Sequence, residues 1–342
     1  MKHTHGLTLG KFAPFHKGHQ FVVETALAEM DEVTVIIYDA PETTPVPLNI
    51  RSGWIKKLYP QVNVIEAWDG PTTVGNTPEI KAAHERYVIE QLKISGITHF
   101  YSSEFYGEHM SIALGAVNRF VDPSRKFIPV SGTKIRESPF SCRSYISPVV
   151  YRDLITNVVF LGAPATGKTT IASKLADEYK TVWMPEYGRE YWETHQIDRK
   201  LSLEQLVDIA VEHLEREDER LYEANQYLFT DTNAITTYMF SLYYHQSAHN
   251  KLIELANSAQ TRYDLVFLCD VDIPYADTWD RSGDVLRKTF QKQIVGDLLA
   301  RKIPYIILRG DLETRTAKVK EVLRKFQKYQ SLAEVFIKKE QD

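Results

Sequence analysis

Cysteine is nearly absent: Cys142 and Cys269 are the only two in 342 residues. That excludes a disulfide framework and a cysteine zinc site, and it fits a reducing, cytoplasmic setting. No segment approaches the ~18 apolar residues of a membrane span, so membrane insertion is not expected. The opening MKHTHGLTLGKF lacks the apolar core of a secretory leader. There is no polybasic run and the formal net charge is −4, so nucleic acid is not indicated as a partner. The charge run EHLEREDER, 212–220, has helical period and reads as a solvated helix face. What is present is a globular balance, 43% hydrophobic and 25% charged, at a length that suggests two domains.

The hydrophobic pattern gives an α/β class, with two parallel-sheet domains in series. Residues 5–10 predict a strand, 18–30 a helix and EVTVIIY at 32–38 a buried strand. PETTPVP at 41–47 suits neither a helix nor a central strand, because proline lacks the amide. Asn49 is placed to cap a helix through Tyr59. VNVIEAW and ITHFYSS predict strands on either side of a helix over 78–95. This βαβαβα order implies a parallel sheet wrapped by helices. The pattern restarts at NVVFLGAPATGKTT, 157–170. A short strand is expected at TVW before MPEYGREYWE, and others at 226–230, 263–269 and 304–308. Helices are expected over 202–223, 247–260, 284–302 and 312–328. The expected domains are 1–150 and 151–342, joined near Tyr151–Thr156 without a low-complexity linker.

GKFAPFHKGHQ, 10–20, places His16 and His19 around Gly18 just after the first strand. At the carboxyl edge of a parallel sheet, glycines let backbone amides approach a phosphate and a helix start favours negative charge. Imidazoles there can donate to phosphate oxygens and stabilise a leaving pyrophosphate. The competing reading is one capping and one surface histidine. VSGTKIRESPF, 130–140, offers Ser131, Gly132 and Thr133 ahead of a helix, then Arg136. That is a second anion cradle with a bidentate phosphate donor. GAPATGKT fits G-x-x-x-x-G-K-[ST] with Gly162, Gly167, Lys168 and Thr169, between an apolar strand and a helix. Its amides would cradle phosphates, Lys168 would reach the β- and γ-phosphates, and Thr169 would ligate Mg²⁺.

Other residues narrow the use of that loop. Glu186 and Arg189 follow the second strand of the half, where a carboxylate base would face an acceptor; a helix-capping Glu is the alternative. Asp231 ends the strand YLFTD, with Thr232 and Asn233 after it, and suits either a metal ligand or a helix cap. Arg281 and Arg287 lie in a stretch suited to a lid. His245 and His249, four apart on one expected helix, read as helix surface rather than metal ligands.

GKFAPFHKGH with SGTKIR resembles the nucleotidyltransferase superfamily with its (H/T)-x-G-H and (I/S)-S-x-T-x-x-R signatures. With the P-loop, PEYGRE and FTDTNAITT, the chain resembles the NadR-type bifunctional enzymes, from Gly6 to about Val322. These are nicotinamide-mononucleotide adenylyltransferases fused to ribosylnicotinamide kinases. The resemblance implies a Rossmann-like nucleotidyltransferase domain and a P-loop kinase domain. It implies that His16, His19, Arg136, Lys168, Glu186 and Asp231 are catalytic. ATP would meet Gly10, Lys11, Phe12, Ser131, Thr133, Gly162, Gly167, Thr169 and Thr170, with Mg²⁺ on Thr169 and Asp231. Acceptors would meet Arg51, Trp54, Ser103, Glu104, Tyr187, Arg189, Thr232, Asn233 and Arg281. The expected ligands are nicotinamide riboside, nicotinamide mononucleotide, NAD and ATP, and a homo-oligomer is left open. YSSEFYG and FVDPSRKF also look like the family's first domain, whereas 66–85 match less clearly. Some members carry an N-terminal helix-turn-helix domain; this chain starts almost at the catalytic strand, so DNA binding is not expected. A fused pantetheine-phosphate adenylyltransferase and dephospho-coenzyme A kinase shares the domain order, but PEYGRE and FTDTN argue against it. An ATP/NAD-sensing module with little turnover is a third reading, against which stand the intact His16, His19, Lys168 and Thr169.

Overall fold

The structure is a computed structural model that describes residues 3–330 except 105, 198–199 and 275–282, and leaves aside the side chains of 283–286. The chain divides into two compact units, Met1–Tyr151 and Arg152–Lys328. Each holds a five-stranded, all-parallel sheet.

In the first unit the strands are β1 (His5–Gly10), β2 (Glu32–Tyr38), β3 (Asn63–Ala67), β4 (His99–Ser102) and β5 (Val117–Phe120). Their order is β3-β2-β1-β4-β5, so the direction of winding reverses between β1 and β4. Val33, Val35, Ile36 and Ile37 of β2 are all buried, because helices cover both faces of a parallel sheet. Leu7, Leu9, Ile36, Phe100 and Met110 belong to one core cluster.

In the second unit β6 (Thr156–Leu161) is central. It lies between β8 (Tyr227–Asp231) and β9 (Leu265–Cys269), with β7 (Trp183–Met184) and β10 (Ile306–Leu308) at the edges. Phe160, Phe229 and Phe267 stack across the three middle strands at 5.7–6.3 Å. One core cluster on each face, one around Leu161, Ile294 and Leu298 and the other around Phe160, Leu175 and Val319, encloses the sheet. Both sheets therefore aim their carboxyl edges at a following loop and helix start, which is where ligands bind in such folds.

Several elements differ from expectation. The helix expected over 78–95 is an α-helix only over Pro78–Arg86, followed by a π-turn over Tyr87–Gln91. The helix expected to be capped by Asn49 begins at Leu48, with Pro47 before it and no side-chain cap. Helices Tyr106–Leu114, Pro148–Leu154 and Ala234–His245 and strand β5 were not expected. β5 is a four-residue edge strand, too short to display a period. Helix Ala234–His245 (AITTYMFSLYYH) is apolar around most of its circumference, which removes the amphipathic signal. His245 and His249 do not share a helix. His245 ends one and hydrogen-bonds the Leu201 carbonyl at 2.7 Å, while His249 caps the next, Asn250–Arg262, by accepting from the Lys251 amide.

Candidate functional site

The first site begins at Gly10, the last residue of β1. His16 is the N-cap of helix Lys17–Glu29, and its Nδ1 accepts from the Gly18 amide at 3.1 Å. A Cβ on residue 18 would come 2.9 Å from the His16 ring, so this cap needs the glycine. His19 Nδ1 in turn accepts from the His16 amide at 3.3 Å. The two rings stack with centroids 3.6 Å apart. Capping and ligand binding are thus compatible. With both Nδ1 atoms used as acceptors, the hydrogen bonds assign the proton of each neutral ring to Nε2, leaving two N–H donors.

Both imidazoles are held neutral. Burial, then the nearby Arg125 guanidinium, push His16 down to about 4. His19 lies well below the usual range, through burial and then through His16 and Arg125. The unfolded chain takes up this proton near pH 6.5 and the native state only near 4, so acid removes stability across that window. For His16 alone the slope approaches ~1.4 kcal/mol per pH unit. His16→Asn keeps a capping acceptor but cannot titrate. Denaturant unfolding of the first unit at pH 7, 5.5 and 4.5 should therefore show a shallower loss than in the parent; parallel curves would refute this assignment.

Ser131 caps helix Gly132–Glu137 by accepting from the Lys134 amide at 3.2 Å. Arg136 reaches back to the turn after β1, donating to the Ala13 carbonyl at 2.6 Å and to Thr133 Oγ1 at 3.2 Å. The two signature segments, 123 residues apart at this contact, therefore meet. Phe12 is buried with φ of +46° and presents its ring to Gly10. Lys11 is engaged by Glu42, Thr43 and the Thr72 carbonyl. Arg51 and Trp54, expected to touch an acceptor, are fully buried. Arg51 donates to the carbonyls of Val46, Lys11 and Tyr38, so it fixes the loops around the site rather than presenting its guanidinium to a ligand. Ser103 and Glu104 follow β4, and Glu104 pairs with Arg125 at 3.3 Å.

The second site is built on the loop after β6. Gly162 has φ of +141°, and a Cβ there would lie 2.6 Å from the Cys269 carbonyl; Gly167 has φ of +82°. Both positions require glycine. Lys168 donates to the carbonyls of Gly162 and Ala163 at 3.0 and 3.1 Å. Thr169 donates to Asp231 Oδ2 at 2.5 Å. Asp231 is fully buried at the end of β8, and its other oxygen, Oδ1, has no partner. Burial first, and then Glu186, raise its carboxyl to about 6 against the pull of Lys168 and Thr169. A buried carboxylate oxygen left unpaired beside a threonine hydroxyl fits a hard divalent cation whose remaining ligands are phosphate and water. No cluster of three or more His, Cys, Asp or Glu suited to a metal occurs among the described residues.

Asp231 does not cap the following helix; Asn233 does, accepting from the Ile235 amide at 3.0 Å. Glu186 occupies the N-cap position of helix Tyr187–His195 but makes no capping bond, and it faces Arg189 at 3.9 Å. A cavity of about 580 Å³ joins these parts, lined at one end by Gly162 and Gly167–Thr170 and beyond them by Glu186, Arg189, Thr232 and Asn233. Its lining also includes four aromatic side chains, Trp192, Phe240, Tyr243 and Tyr244. Tyr187 is not part of the lining; its ring lies under the Arg216 guanidinium at 4.0 Å. Arg281 lies outside the described residues. Arg287 is buried and donates to the carbonyls of Ala165 and Ile273, behind the loop.

Sequence reasoning missed Arg315, Gln291 and the aromatic side chains of the lining. Arg315 is buried and donates to the carbonyls of Thr166, Gly310 and Asp270, and Gln291 accepts from the Ala163 amide. Both sit on helices where a polar residue reads as surface. The available signal for these aromatics was the run YMFSLYYH, together with Trp192 in MPEYGREYWE.

The fold and these sites define an enzyme with a nucleotidyltransferase-like domain followed by a P-loop kinase-like domain. Residues 7–138 match the cytidylyltransferase-like family and 157–315 an AAA domain family. The chain is similar to the NadR-type proteins along nearly all of its length. It is 27% identical over 343 aligned residues to the trifunctional NAD biosynthesis/regulator protein NadR of Escherichia coli K12, covering 94% of this chain and 83% of the relative. Identity to the Salmonella typhimurium LT2 protein of the same name is also 27%, covering 93% and 82%. Among solved structures, NadR protein in complex with NAD and AMP-PNP superposes with a TM-score of 0.54 at 22% identity, covering 94% of this chain and 96% of that one. NadR protein in complex with NR superposes with a TM-score of 0.55 at 21%, covering 95% and 97%.

Proposed function

We propose that this protein makes NAD from nicotinamide riboside in two steps. In the second domain, the riboside 5′-hydroxyl oxygen attacks the γ-phosphorus of ATP, and the mononucleotide and ADP leave. In the first domain, a phosphate oxygen of the mononucleotide attacks the α-phosphorus of a second ATP, and pyrophosphate leaves. The observation that carries the reading is the coexistence of two candidate phosphate sites, each at the carboxyl edge of its own parallel sheet, in a chain similar to NadR over 94% of its length.

The kinase site supports a neutral or cationic flat acceptor. The cavity lining that holds Glu186 and Arg189 also includes Trp192, Phe240, Tyr243 and Tyr244, which suits a heteroaromatic base better than a second phosphate-bearing chain. Lys168 and the loop amides hold the ATP phosphates. Asp231 and Thr169 would hold Mg²⁺, which would supply positive charge against the transferred phosphoryl group. Glu186, uncommitted to its own helix, takes the hydroxyl proton. In the first domain no side chain forms a covalent bond to the nucleotide. His16 and His19 donate Nε2–H bonds to the phosphates and stabilise the leaving pyrophosphate, and Arg136 places the second helix start against them.

With Mg-ATP, nicotinamide riboside should yield its mononucleotide and ADP, while dephospho-coenzyme A stays unchanged. The opposite acceptor preference would overturn the reading. Glu186→Gln keeps the shape and removes the base; it should lower riboside phosphorylation by ~10²-fold or more. Its KM for ATP should stay near the parent value, since the loop is untouched. Parent-level turnover would move the base to Asp231.

A further inference from the structure

We infer that Arg125 is a phosphate-binding residue of the N-terminal site, exchanging its ion pair with Glu104 for oxygens of the ATP triphosphate. The inference rests on reading that domain as an adenylyltransferase.

The chain is built to carry Arg125 to this place. After β5, the Val121 amide donates to the Ser102 carbonyl at 2.8 Å, which starts the next loop at the end of β4. Asp122 then turns the loop back, its carboxylate accepting from the amides of Lys126, Phe127 and Ile128 at 2.8–3.3 Å. Arg125 is at the tip in the left-handed region, with φ of +51°. The loop lies over the start of helix Lys17–Glu29: the Phe127 ring is 6.2 Å from that of Phe21, and Ile128 is 3.8 Å from where a Cβ on Gly18 would be. The guanidinium therefore sits between the histidine turn after β1 and Glu104 after β4, its field acting on both imidazoles. That is the crevice where the strand order reverses, the place where nucleotides bind in open parallel sheets.

Charge accounting leads to the same residue. A triphosphate brings several negative charges, yet His16 and His19 are neutral near pH 7. Arg136 keeps its charge, but two of its nitrogens are held on Ala13 and Thr133, and Lys11 is paired with Glu42. The Arg125–Glu104 pair, by contrast, is about half exposed on both sides, so it is screened and weakly held. A guanidinium facing a phosphate forms two parallel bonds, which a single carboxylate contact at 3.3 Å does not match.

The test titrates inorganic tripolyphosphate by calorimetry into full-length protein carrying Lys168→Ala, so that the P-loop does not compete. Adding Arg125→Ala should weaken binding at least ~10-fold, Arg125→Lys should recover part of it, and Glu104→Gln should tighten it a few-fold by releasing the arginine. Unchanged affinity in Arg125→Ala overturns the inference. So does a Glu104→Gln variant weakened as much as Arg125→Ala, because the pair would then be a structural clasp. An unchanged denaturant midpoint for the first unit in Arg125→Ala shows that the fold around the turn is intact; if it is lost, the Lys and Gln variants decide. With the P-loop restored, Arg125→Ala should raise the KM for ATP in dinucleotide formation at least ~10-fold. If the parent forms no dinucleotide from mononucleotide, the adenylyltransferase reading falls, while the calorimetry still decides for or against Arg125.

Discussion

Lys168→Ala should remove the proposed riboside phosphorylation, by ~10²–10³-fold or more, and leave dinucleotide formation from supplied mononucleotide at the parent rate. The magnitude follows from deleting one preorganised donor to charge that develops in the transition state. Lys168 starts the helix after the loop, and its ammonium is held on the carbonyls of Gly162 and Ala163, poised where the β- and γ-phosphates arrive. Lys168 belongs to the second unit and the two histidines to the first. Steady-state assays of the two half-reactions, run separately, check the result. Loss of both activities in a folded variant would mean that the sites do not work independently.

His19→Asn gives the converse. Asparagine keeps an acceptor near the Nδ1 position, where the ring caps the His16 amide, and it lacks the Nε2–H donor. Dinucleotide formation should fall by ~10²–10³-fold with little change in the stability of the first unit, while riboside phosphorylation persists. His19→Gln retains a donor near Nε2 and should retain more activity than His19→Asn. If the order of the two variants were reversed, the ring would act through its cap alone.

Much of this site was legible because phosphate binding demands particular backbone conformations. Gly18 is fixed by its contact with the His16 ring, and Gly162 and Gly167 by their left-handed dihedrals, and those constraints are local in sequence. The central strands were legible for the same reason, since β2 and β6 are buried on both faces and read as unbroken apolar runs. What could not be read depends on distant partners. Arg51 was expected at a ligand, but its donors face the carbonyls of Val46, Lys11 and Tyr38 and the Asp39 carboxylate, five to forty positions away. Arg315 closes on the phosphate loop across 149 positions, from a helix whose local pattern shows nothing unusual. Helix Ala234–His245 escaped because burial on several sides erases the period that a surface helix would show. Glu186 and Asp231 were each open between a capping and a chemical role. The bonds remove the capping alternative: Asn233 caps, Asp231 keeps a buried oxygen unpaired, and Glu186 makes no cap at all.

The measurement that tests the central claim most directly is a product balance. The intact protein is incubated with nicotinamide riboside and excess Mg-ATP, and all nucleotides are quantified by mass spectrometry alongside a pyrophosphate assay. Two sites working in series predict one NAD, one ADP and one pyrophosphate for each riboside consumed, with the mononucleotide rising first and then falling. Consumption of ATP without any dinucleotide, or dinucleotide formed without ADP, would contradict it.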